Sequence, residues 1–228
     1  MKKILILLVL LSSFRMVFAE DMKIQKPNYK EIKKSIQDKD SKFYYPLLME
    51  RYIRMDTTLT LEEYKHLYYG YFFNDSYSVY GVSNYVDSVN VILKKDSLLT
   101  DDYQQIIRYE KQVLEKYPFN LRDLNYLSNC YYRLGDTLMT RLQDYKLFML
   151  ARTITSTGDG MSEETAWHVL SVSHEYSLLE YMGFHFGGSQ KLTTGGCDYL
   201  SVQENDYQID GFYFDVNKIL EKEGELLK

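Results

Sequence analysis

The chain has 228 residues, is 45% hydrophobic and 26% charged, and carries a formal net charge of -5. That apolar content excludes a disordered chain and fits one domain, or two small ones sharing a boundary. The acidic balance argues against nucleic acid as a partner, because there is no basic surplus to neutralise phosphates.

Residues 1-19 have the pattern of a secretory signal peptide. Lys2 and Lys3 precede the apolar run Ile4 to Leu11, and Val17-Phe18-Ala19 supplies a cleavage site. The run is too short for a stable bilayer span. The expectation is cleavage after about Ala19 and an exported, periplasmic or extracellular protein with no transmembrane segment in the mature chain.

Helical signals dominate residues 20-155. Ile32 and Ile36 mark a helix over Tyr29 to Gln37, and Leu47 to Met55 reads as a second, short or irregular stretch. Thr60-Leu61-Glu62-Glu63 is a capping box that opens a helix carrying Leu61, Tyr64, Leu67, Tyr68 and Tyr71. Further helices are expected over Asn84 to Lys94, Thr100 to Tyr117 and Leu121 to Leu134, with Pro118 ending the middle one. The last of the series, Thr137 to Ile154, has Leu138, Leu142, Tyr145, Phe148 and Met149 on its expected inner face. Short turns between these segments predict antiparallel pairs. Leu99 to Pro118 and Leu121 to Leu134 resemble successive helices of tetratricopeptide repeats, although the Trp and Gly-Tyr positions of that signature are absent. An ordinary helical bundle packs the same way.

At Thr155 the character changes. Thr155 to Gly160 is a run of turn formers. Cys197 to Glu204 and Gly211 to Val216 alternate as strands, with Leu200, Val202, Phe212, Phe214 and Val216 on one side. A strand is expected at 166-173 and a helix at 174-182, although Ser162 could cap one helix reaching Met182. Gly187 to Gly196 reads as a flexible loop and Asn217 to Lys228 as a terminal amphipathic helix. The expected fold is α+β: tetratricopeptide-like helical hairpins over 20-155, then a small antiparallel sheet with flanking helices over 156-228, packed as one unit.

Three segments of this tail, Gly158 to Val172 with Glu175-Tyr176, Gly195 to Tyr199, and Phe212 to Val216, resemble a family of signal-peptide-bearing proteins from Gram-negative gut-type bacteria, defined only as a domain of unknown function. The resemblance implies export and a tetratricopeptide-like helical region. It carries no activity.

No motif assigns a reaction. His168, His174, His185, Cys197 and Asp198 are zinc-ligand types, but they match neither H-E-x-x-H nor C-x-x-C, so no metal site is expected. Cys197 with His168 or His174, oriented by Asp198 or Asp215, has the residue types of a thiol triad, without any flanking signature. Asp198 and Asp215 also have the residue types of an acid-base pair across neighbouring strands, although acidic residues beside Gly and Asn are commonly turn formers. The glycine pairs lack the G-K-[ST] of a phosphate loop, and no cofactor is expected. Cys130 and Cys197 read as separate thiols rather than a disulfide.

Tyrosine is the compositional outlier, with 23 residues. Tyr68, Tyr71, Tyr131 and Tyr132 are candidates for a recognition face, against the alternative that tyrosines fill the seams between helices. The sequence thus favours a non-catalytic binding or scaffolding module for a peptide or protein partner. A hydrolase-type enzyme with a site at the sheet loops, built from His168, His174, Cys197 or Asp198, is the alternative.

Overall fold

A computed structural model describes residues 24-79 and 85-226. The expected signal peptide lies outside the described residues, as does Asn84, the expected first residue of one helix. Among the described residues, nine helices lead into and flank a four-stranded sheet, an α+β arrangement.

Local chemistry sets most helix starts. Asn28 caps α1 (Tyr29-Gln37) by accepting the Glu31 amide. Pro46 sits in the first turn of α2 (Tyr45-Ile53), where a missing amide proton costs nothing. Thr60 and Glu63 form the reciprocal capping box of α3 (Leu61-Gly70), which buries Tyr64, Leu67, Tyr68 and Tyr69 and tightens into a 3₁₀ turn at Tyr71-Phe73. The remaining hairpin helices are α4 (Tyr85-Leu93), α5 (Thr100-Lys116), α6 (Leu121-Arg133) and α7 (Thr137-Thr155). Each of the four packs on its chain neighbour, as short connections require.

One helix face departs from expectation. Leu138 and Phe148 of α7 point to solvent, whereas Gln143, Lys146, Leu147 and Leu150 turn inward. These four lie at i, i+3, i+4 and i+7, a valid helical stripe that contains two polar members. Packing against α3 and α6 selects this stripe, and of the expected face Met149 is buried with it.

The second part opens with a tight junction. Gly160, at a φ of 72°, lies where a Cβ would meet the Trp167 ring at 3.0 Å, so both its left-handed backbone and the close approach call for glycine. Trp167 donates its indole proton to the Gly158 carbonyl and stacks on Phe212. The strands are β1 (Trp167-His168), β2 (Phe186-Leu192), β3 (Cys197-Val202) and β4 (Gly211-Asp215), and the sheet order is β1-β4-β3-β2.

The expected strand at 166-173 shrinks to two residues, because Ser171 caps helix α8 (Val172-Tyr181) earlier than the sequence suggested. β1 pairs with β4 in parallel, so the sheet is mixed rather than purely antiparallel. The expected flexible loop at Gly187 to Gly196 is largely strand: β2 pairs antiparallel with β3 across an irregularity between Phe186 and Gln190, where Gly188 adopts a φ of 96°. A bulge of this kind needs glycine, and that hid a strand behind a loop-like composition. Asn217 to Leu226 is helix α9. Phe212, Phe214 and Val216 are buried as their alternation predicted.

One continuous core joins the two halves, running from Ile32 and Tyr69 through Leu150 to Trp167, Leu200, Phe214 and Ile219. A smaller core of Val89, Ile92, Ile106, Ile107, Leu127, Cys130 and Tyr131 holds α4, α5 and α6 together. No helix among the described residues is long and apolar enough to cross a membrane.

Candidate functional site

The strand register places three of the sequence candidates in one row. His168 on β1 is opposite Asp215 on β4, and Asp215 is opposite Cys197 on β3. Opposed residues share a face, and adjacent strands lie about 4.8 Å apart, so the strands that carry the thiol and the imidazole are about 10 Å apart, with the strand of the acid between them. A thiol triad needs the base between acid and nucleophile.

The His168 Nδ1 is 3.3 Å from the Tyr29 hydroxyl. Its Nε2 is 3.8 Å from Asp215, and no hydrogen bond satisfies it among the described residues. Burial lowers its pKa more than the Asp215 charge raises it. Cys197 is buried, its sulfur is 4.0 Å from the Glu163 carbonyl, and burial pushes the thiol up to about 11. A thiol held protonated is not a nucleophile at neutral pH. Cys130 and Cys197 are both free.

His174 lies elsewhere, inside the helical core. The Tyr68 hydroxyl is 2.6 Å from its Nδ1 and also accepts the Leu170 amide proton. Burial drops this imidazole to about 3, so it is neutral, with one ring nitrogen a donor and the other an acceptor. Asp198 sits on the core face of β3 and accepts from the Gln190 side chain at 2.7 Å. Beside it is a residue that the sequence singled out only as part of the family-like segment. Glu175 on α8 is fully buried, and neither carboxyl oxygen has a hydrogen-bond partner among the described residues. Burial first, then the charge of Asp198, pushes its carboxyl up to about 9, so it is protonated at neutral pH. No group of three or more His, Cys, Asp or Glu side chains among the described residues is arranged to hold a metal ion.

The tyrosines divide. Tyr68 is wholly buried and Tyr131 is nearly so, in the smaller core, whereas Tyr132 is 67% exposed. Tyr71 is the one of the four candidates that lines a large cleft, and its hydroxyl donates to the Lys116 carbonyl at 2.9 Å.

This cleft has a volume of about 830 Å³ and lies among the helical hairpins. α2 gives it Tyr45, Met49, Tyr52 and Ile53; α5 adds Lys111 and Leu114; α6 adds Leu124 and Leu127; and α7 adds Gln143 and Lys146. The Lys146 ammonium is 4.1 Å from the centre of the Tyr52 ring, and burial lowers it to about 8. Concave sites of this size, with apolar walls and a few polar groups, are the usual form of ligand pockets. Of the tyrosines singled out in the sequence, Tyr71 reaches this wall; Tyr45 and Tyr52, which supply the rest of its aromatic surface, were not among them. The Lys146 contribution carried no signal, because lysine on a helix is ordinarily solvent-facing.

A family model described as Domain of unknown function (DUF4919) matches residues 30-225. No curated protein and no solved structure matches the chain.

Proposed function

Since the chain belongs to the family described as Domain of unknown function (DUF4919), which supplies no reaction to test against the geometry, we propose from the cleft that it is an exported, non-catalytic binding module for a segment of a peptide or protein partner. The observation that carries this is the cleft of about 830 Å³ walled by Met49, Ile53, Leu114, Leu124 and Leu127. Apolar anchors entering such a cavity provide most of the free energy of peptide recognition, while the peptide backbone stays hydrated at the mouth. Ile53 is 63% exposed and extends the apolar surface outward. Helical hairpins of this kind offer concave faces suited to that role. The N-terminal signal-peptide pattern supports export, and the continuous core supports the helical and sheet parts acting as one unit. The hydrolase alternative finds no support in the row His168-Asp215-Cys197.

The test is selection from a displayed library of random peptides on the folded chain and, in parallel, on Met49→Trp, which fills the cleft with a larger side chain. Peptides retained by the parent and lost by the variant support the proposal. Equal retention on both, or no enrichment on the parent, rejects it. Circular dichroism confirms that the variant is folded.

A further inference from the structure

The cleft contains one feature that an apolar cavity does not need. Lys146 is only 8% exposed, yet no carboxylate lies within ion-pair distance of its ammonium among the described residues. Its ammonium lies over the face of the Tyr52 ring. A buried cation without a counterion is costly, and one aromatic ring only partly replaces its lost hydration. A second polar group nearby is also unpartnered: the Tyr45 hydroxyl is buried in the same lining with no hydrogen bond among the described residues.

The ionic balance of the wall has the same sign. Arg54, Lys111, Lys116 and Lys146 line the cleft against Glu50 and Glu115, and Glu50 is already paired with Arg54 at 2.8 Å. The cleft is therefore net cationic in a chain of net charge -5. Like-charge repulsion between that acidic surface and an acidic partner would otherwise disfavour the complex, so a local cationic cavity fixes where such a partner can dock.

We propose that the partner segment is an acidic-apolar peptide, and that one Asp or Glu carboxylate of it pairs with the Lys146 ammonium while its apolar neighbours fill the space along Met49, Leu114 and Leu127. This rests on the cleft being a peptide site, and it adds the charge that the site selects. In the apolar surroundings of the cleft a charged hydrogen bond of this kind has a large effect on affinity. Burial keeps the ammonium near the point of losing its proton, and a bound carboxylate would hold the proton in place.

The experiment uses the peptides enriched on the full chain. An acidic residue should recur among apolar ones in the enriched set. Changing that Glu to Gln in the best peptide should weaken binding to the parent by about 10- to 100-fold, measured by calorimetry. The same change should have less than about a twofold effect on Lys146→Met, whereas Lys146→Arg retains most of the discrimination. Decanoate and decanol form a second pair of probes. A preference for the acid peptide over decanoate supports a peptide carboxylate, whereas tighter binding of decanoate than of every enriched peptide overturns it in favour of a lipid-type acid. Neutral enriched peptides that bind the parent and Lys146→Met alike overturn the Lys146 assignment and leave the cleft as a peptide site. No enrichment over Met49→Trp removes the peptide site itself. Lys146→Met should also melt at a higher temperature than the parent, since it removes an unpaired buried charge; a lower melting temperature would assign Lys146 to packing alone.

Discussion

Replacing Glu175 by Gln tests the most unusual side chain in the core. The Glu175 carboxyl has an ordinary value of 4.5 and is pushed up to about 9 by burial and the neighbouring Asp198 charge. The folded state therefore holds a proton that the unfolded state releases above about pH 4.5. Stability is greatest below that value, falls as pH rises, and levels off once pH passes about 9. Between about pH 5 and 8 the loss attributable to this group is about 1.4 kcal/mol per pH unit, or about 4 kcal/mol over the span. At ~2-4 °C per kcal/mol for a chain of this size, that is a change of about 8-16 °C in melting temperature. The amide introduced by Glu175→Gln stays neutral throughout. Thermal melts of the parent and Glu175→Gln by circular dichroism should therefore diverge, with the variant gaining on the parent by about that amount from pH 5 to pH 8. Other titrating groups, such as Glu110, which is raised to about 8, act equally in both proteins and cancel in the comparison. A constant offset between the two melts at all pH values would show that Glu175 is ionised in the fold and would refute the reasoning.

Three further outcomes follow from the packing. Phe214→Ala empties a position with no exposure beside Trp167 and should cost about 3-5 kcal/mol in chemical denaturation; a loss under about 1 kcal/mol would mean that β4 does not face the core. Tyr68→Phe leaves the His174 Nδ1 and the Leu170 amide without their hydroxyl partner, and should cost about 1-3 kcal/mol by the same assay; an unchanged midpoint would contradict that network. Cys130 and Cys197 are buried, with thiols pushed up to about 11. An aromatic disulfide reagent at neutral pH should find neither thiol in the native chain and both in denaturant, and rapid native labelling of either would contradict the burial.

The residues of this chain set its local structure directly. Asn28, Thr60 with Glu63, and Asp136 announce helix starts because each supplies an acceptor for an amide a few residues on, and such contacts lie within one turn of sequence. Pro118 marks a helix end, and the alternation of Phe212, Phe214 and Val216 fixes which side of β4 faces inward, for equally local reasons. Of the cleft wall, Tyr71 was the one candidate that the sequence singled out, and Tyr45 and Tyr52 were not among its candidates. Tertiary packing decided the rest. β2 became a strand through pairing with β3, which a glycine pair conceals from any local pattern. β1 pairs in parallel with a strand more than forty residues away, and only chain topology brings them together. Glu175 and Lys146 lie on helices where charged residues ordinarily meet water, and both were buried because contacts distant in sequence chose which face of each helix would turn inward. Burial is a property of the assembled core, so the groups with the most informative chemistry were the ones a one-dimensional pattern represented least.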